Sequence, residues 1–244
     1  MKFVCQACGH TFTRQLRKIY FHAPTLIQMV EKETVEESAP IIPDPIECGR
    51  CKAVNHAEIT SYHLGLMRLN ALIGGILIPS RPDDVIQVVT FSFEGEIMHP
   101  LQAIRKYQNE LETKPEHTPH RFQYARALRM VGRWDEAETE YRWILDKDLL
   151  QVEAWYGLAM LAYARHQKRV ARQALKELVN HAQQSRAPGR NTLKTEACEI
   201  LTGERPFESL LVDLVQVEDP PQDEVRQLKE RRKRRKERQG PRED

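Results

Sequence analysis

Residues 121–179 read "RFQYARALRMVGRWDEAETEYRWILDKDLLQVEAWYGLAMLAYARHQKRVARQALKELV", and a shift of 34 positions lays the segment on itself. Tyr124 falls on Leu158, Ala125 on Ala159 and Leu128 on Ala162. Ala137 falls on Ala171, Tyr141 on Leu175 and Ile144 on Leu178. Small residues recur where two helices must approach closely, and large ones recur on the faces between helices. Gly132 stands where the first helix should end, as a C-terminal stop. Upstream, Ala103 and Tyr107 lie 34 positions before Ala137 and Tyr141, and Pro115 terminates that helix.

The pattern resembles the tetratricopeptide repeat family: Trp155-Tyr156-Gly157-Leu158-Ala159 and Gly132-Arg133-Trp134-Asp135-Glu136-Ala137 are close to its consensus. The resemblance covers residues 99 to 183, as a half repeat and two full ones, with "NTLKTEACEILTG" as a capping helix. It departs at His166 and Lys168, where the family favours glycine and an aromatic, and Leu149 lacks the usual closing proline. An ordinary helical hairpin bundle is the alternative. The family implies a concave groove lined by first helices, here offering Phe122, Arg126, Arg129, Met130, Glu153, Tyr156, Met160 and Tyr163 to a protein or peptide partner. The Lys and Asn set with which some members grip a C-terminal carboxylate is not found at these positions.

At the N-terminus, "FVCQACGH" and "ECGRC" hold four of the five cysteines as two Cys-x2-Cys pairs, Cys5 with Cys8 and Cys48 with Cys51. Two residues between thiols let a tight turn aim both sulfurs at one point, about 2.3 Å from a shared metal. Two such turns facing each other make a tetrahedral four-sulfur shell. Gly9 and Gly49 suit the positive φ that such turns often require. The flanks "KFVC", "TFTRQLRKIYF" and "AEITSYH" read as strands. The arrangement resembles the zinc-ribbon family over residues 1 to 63, and implies one structural Zn2+ per chain. The segment "VEKETVEESAPIIPDPIE" departs from a compact ribbon and reads as an acidic insertion over about 31–46. Iron in a rubredoxin-like site is the nearest competitor, because four thiolates bind it too. Disulfides would need an oxidising compartment that nothing here supports, and a redox pair would open a helix rather than follow a strand. His10, His22, His56 and His63 lie near the pairs but are not needed by a closed shell. Cys198 reads as a packed thiol.

Residues 64–98 form a mixed connector: an apolar helical start, a break at Gly74-Gly75, then the strand-like "VIQVVTFSF". The net charge of +2 hides an asymmetry. The charged tail, residues 204–244, turns basic after Pro220 and Pro221, with Lys229, Arg231, Arg232, Lys233, Arg234, Arg235, Lys236 and Arg238 set against Glu230 and Glu237. Such a run is a solvated arm or a phosphate contact; it is also an import-signal pattern. Arg14, Arg17 and Lys18, with Tyr20, would add a basic and aromatic strand on the ribbon.

The expected fold is therefore mainly α with a small β N-terminal module: ribbon at 1–63, connector at 64–98, repeats with a capping helix at 99–203, and the tail. No secretory signal is visible at the start. The most apolar window, residues 64–79, is interrupted by Arg68 and Asn70 and is shorter than the roughly 20 residues a bilayer crossing needs. A cytoplasmic chain with no membrane partner is expected. No phosphate-binding glycine loop, paired-histidine motif or small-molecule substrate site is apparent, so a non-enzymatic adaptor is the leading expectation. An RNA- or DNA-associated protein using ribbon and tail is the alternative, and an enzyme with an unrecognised site the minor one.

Overall fold

The structure is a computed structural model, and it describes residues 1–26, 39–42, 44–55, 57–71, 85–186 and 189–212. Residues 31–38 and Pro43 of the acidic insertion, His56, the Gly74-Gly75 break, the Pro220-Pro221 boundary and the basic run Lys229–Arg238 lie outside the described residues. The chain is mainly helical with a small N-terminal strand module.

Strand β1 (Lys2–Cys5) sits between β2 (Thr11–Thr13) and β4 (Ala57–Ile59), antiparallel to both. The register sets Phe3 opposite Phe12 on one side and Ile59 on the other. Cys5 faces Ala57, so both cysteine turns emerge at one end of the sheet. The expected single strand "TFTRQLRKIYF" is in fact two. Residues 14–18 leave the sheet, and β3 (Ile19–His22) pairs in parallel with β5 (Ile86–Val89) of the connector. All four residues of β3 are buried, which a strand at the edge of a solvated ribbon could not satisfy. Helix α1 (Ser61–Asn70) runs across the boundary expected at residue 63. Ribbon and connector therefore share one core, in which Phe3, Ile19, Phe21, Met67 and Val88 pack together. A two-residue turn closes the hairpin β6 (Ser92–Phe93) and β7 (Glu96–Ile97): Glu94 and Gly95 have φ of 53° and 83°, the left-handed pair that matches strand twist.

Among the described residues six longer helices follow: α2 (Pro100–Thr113), α3 (Thr118–Met130), α4 (Trp134–Lys147), α5 (Val152–Ala164), α6 (Lys168–Ala182) and α7 (Arg190–Thr202). Their starts recur at the sequence period: Pro100 to Trp134, Thr118 to Val152, and Trp134 to Lys168 are each 34 positions. Each helix packs on the next, α2 through to α7. Ala103, Tyr107, Ala125, Leu128, Ala137 and Tyr141 are all buried where the repeat placed them. Gly132 ends the α3 turn with φ of 82°, and at the equivalent position after α5 a histidine, His166, takes the same left-handed conformation at 63°. The turn after α5 thus keeps the geometry of the Gly132 turn by placing a non-glycine residue in the left-handed region.

The tail begins later than residue 204. Gly203, with φ of 89°, stops α7, and the chain turns back so that Leu210, in the short α8 (Ser209–Val212), is fully buried in the helical core. Among the described residues no helix is long and apolar enough to cross a membrane.

Gly157 makes the closest approach in the stack. A Cβ there would lie 2.5 to 2.9 Å from ring atoms of Tyr141, which is fully buried between the helices. Helix propensity alone favours Gly157→Ala by about 1 kcal/mol, but overpacking costs about 1–3 kcal/mol. A urea melt of Gly157→Ala should show a net loss of stability of that order; a stabilised variant would refute the packing account.

His22 is buried, with Nδ1 2.9 Å from Thr25 Oγ1 and its ring between Phe91 and His99. His99 Nδ1 accepts from the Leu101 N–H, and its Nε2 lies 3.2 Å from the Ala39 carbonyl. Burial first, and His99 second, pushes His22 down to about 3. Its contribution is fully present above the unfolded value of about 6.5 and is lost as pH falls toward 3. Between about pH 7.5 and 4.5 the wild-type chain should lose about 2 kcal/mol more than His22→Gln in paired urea titrations. Identical pH dependence in the two chains would rule this out.

Candidate metal centre

The two cysteine turns are built alike. In the first, the Gly9 N–H donates to the Cys5 carbonyl at 2.8 Å and the Cys5 N–H donates to the His10 carbonyl at 2.9 Å. In the second, the Lys52 N–H donates to the Cys48 carbonyl at 3.0 Å and the Cys48 N–H to the Ala53 carbonyl at 2.9 Å. Gly9 carries the expected positive φ, 66°. Gly49 does not; the equivalent left-handed residue is Lys52, at 62°. The turn demands that conformation four residues after its first cysteine, so the glycine next to Cys48 was the wrong residue to single out.

The turns face each other. Cys5 Sγ lies 3.6 Å from Cys51 Sγ, and Cys8 Sγ lies 3.7 Å from Cys48 Sγ. All four sulfurs fall within 4.8 Å of one another, and together they can hold a metal ion. A tetrahedron with metal–sulfur bonds of about 2.3 Å has edges of about 3.8 Å, so the donor set fits. Among the described residues no other group of three histidine, cysteine or acidic side chains is this close. Cys5 and Cys48 are buried and Cys51 is exposed, which leaves an entry path for an ion.

The thiols are in electrostatic conflict with one another. Backbone N–H groups, that of Cys51 foremost, draw Cys48 down to about 6. Cys8 receives a similar bond from the His10 N–H, but burial and the three neighbouring thiols outweigh it and push Cys8 up to about 12. Four sulfurs this close cannot all ionise unaided, and a divalent cation removes the conflict. Elemental analysis should find about one metal ion per chain. The Cys5→Ser, Cys48→Ser double variant should lose it, together with the module's resistance to unfolding. A wild-type chain whose melting is indifferent to a strong chelator would sink the assignment.

The other expected site residues meet different fates. Of the eight groove residues, Arg129, Met130, Tyr156, Met160 and Tyr163 are buried. Only Phe122, Arg126 and Glu153 keep partial exposure. The chain's own residues cover that face. Arg126 lies over the Phe93 ring at 4.9 Å, Arg129 Nη1 contacts the Met160 sulfur, and Tyr163 stacks on Phe207. Burial raises the Glu153 carboxyl above its ordinary range.

Arg14, Arg17 and Lys18 are not part of a strand but of the loop between β2 and β3, and Tyr20 is buried. Arg17 Nε and Nη2 donate to Asp44 Oδ1 at 2.8 and 2.6 Å, while its backbone N–H donates to Oδ2. This loop and the end of α5 border a cleft of about 630 Å³, lined by Arg14, Arg17, Lys52, Arg165 and His166. Arg165 pairs with Asp135 and Glu138, and Lys52 with Glu47. Cys198 is half-exposed rather than packed away.

Sequence reasoning missed Asn55. Its side chain accepts from the Ile46 N–H at 3.1 Å and donates from Nδ2 to the Gly132 carbonyl at 3.2 Å. It thus ties the second cysteine turn to the α3–α4 turn. Its φ is positive, 58°, and no sequence pattern announces that.

No protein-family model, curated protein or solved structure matches the chain.

Proposed function

We propose that this chain is a non-enzymatic adaptor, in which a β-module stapled by one structural zinc is set against a helical platform of tetratricopeptide type that binds another protein. The observation that carries the reading is the recurrence of helix starts at 34 positions, with Gly157 and Tyr141 in van der Waals conflict were any Cβ present. That is how a stack built from two-helix units buries its faces. The half-exposed Phe122, Arg126 and Glu153 on its first helices offer aromatic and charged anchors to a partner.

Zinc is favoured over iron because a closed four-thiolate shell with a structural task needs no redox change and no particular geometry beyond the tetrahedron. Cys5, Cys8, Cys48 and Cys51 would hold it. A colourless metal-loaded protein supports zinc; visible charge-transfer bands would point to iron.

The tagged chain, captured from its native host with and without nuclease, tests the adaptor reading. Specific proteins should persist after nuclease. Phe122→Ala with Arg126→Glu should reduce their recovery severalfold at unchanged helical content. Loss of all partners on nuclease treatment, with discrete RNA or DNA recovered, would replace this reading with the nucleic-acid one.

A further inference from the structure

The segment after α7 is seated on the platform as a bound peptide would be. Tyr163 of α5 donates its hydroxyl to Glu208 Oε1 at 2.7 Å, and its ring stacks on Phe207 with centroids 5.6 Å apart and planes 29° apart. Arg172 of α6 lies over the Phe207 ring at 5.6 Å, and Lys168 over the Tyr163 ring at 5.8 Å. Lys168 and Arg17 are near enough to act on the Glu208 charge. Leu210 is the buried anchor, while Phe207 is half-exposed and Glu208 exposed. The backbone bonds of this stretch are local: Ser209 N–H to the Pro206 carbonyl and Leu210 N–H to the Phe207 carbonyl. Side chains do the anchoring. A four-residue helix has no stability of its own, and the left-handed Gly203 marks where the strap leaves α7.

We infer that the α5–α6 face carrying Tyr163, Lys168 and Arg172 is a recognition site for an aromatic–acidic–x–leucine segment. Phe207, Glu208 and Leu210 occupy it in cis, and a partner bearing the same pattern binds by displacing them. Each element of the pattern has its own receptor. The aromatic ring stacks on Tyr163 with Arg172 beside it, the carboxylate accepts from the Tyr163 hydroxyl within the field of Lys168 and Arg17, and the leucine enters the core. A tethered occupant competes at an effective concentration on the order of millimolar, so it masks the site against weak ligands and yields to a matched one. The inference deepens the adaptor reading and rests on it for the existence of a partner. The test below needs no partner, so its failure is distinct from failure of the capture experiment.

A labelled synthetic peptide of residues 204–212 is titrated by fluorescence anisotropy against the full chain and against Phe207→Ala, Glu208→Ala. The opened variant should bind it about tenfold or more tightly than wild type. Adding Tyr163→Phe, which keeps the ring and removes the donor, should weaken that binding about tenfold. If the double variant melts without cooperativity, Phe207→Ala alone serves as the opening variant, since it vacates the aromatic position while Leu210 stays packed. No binding to a cooperatively folded opened variant would overturn the inference. Equal binding by the wild-type and opened chains, or indifference to Tyr163→Phe, would overturn it too.

Discussion

Four sulfur atoms within 4.8 Å of one another are the constraint from which the N-terminal half follows. Cys5 and Cys48 are more than forty positions apart in the chain, and they meet because β1 and β4 pair directly, so that both turns open at the same end of a three-stranded sheet. A sheet this small buries little on its own. The cluster closes the loop between its two halves and, through Asn55, passes that position on to Gly132 in the helical stack. Asn55 is thus one tie between the module and the helices, beside the burial of Tyr20, Ile41, Val89 and Phe91 in the helical core.

The helical half obeys a different rule. Its spacing is set by small residues at close approaches, most sharply at Gly157, where the Tyr141 ring occupies the room a side chain would take. A stack of this kind has two faces, and with so few helices both need cover. Phe93 from the hairpin and the Phe207–Leu210 strap supply it on the face of the first helices. On this face Met130, Tyr156 and Met160 are buried, and Phe122, Arg126 and Glu153 are the partly accessible remainder.

Much of this was legible from residues alone, in a way that tracks the range of the forces involved. The convergence of the four cysteines and the recurrence of helix starts were legible because both rest on simple spacings, a two-residue gap and a 34-residue echo. Gly49 was misread because composition says that a turn is near but not which residue takes positive φ; the hydrogen-bond pattern put Lys52 there. The run "TFTRQLRKIYF" looked like one strand because its two halves share the same propensities, yet only pairing with Ile86–Val89 decides where the second half goes. The strap lay inside what seemed a charged tail, since Phe207 and Leu210 are too few to make a periodic signal.

By itself, then, the sequence determined which residues could converge on an ion and which helices must repeat, because bond geometry and helical periodicity act over a few residues or at a fixed interval. The tertiary structure alone decided that residues 14–18 leave the ribbon sheet, that Asn55 bridges the two halves, and that residues 206–210 turn back onto α5. Those outcomes depend on contacts between segments up to about eighty positions apart. There burial and hydrogen-bond satisfaction are settled by the sum over the whole packed chain, and no short stretch carries the answer.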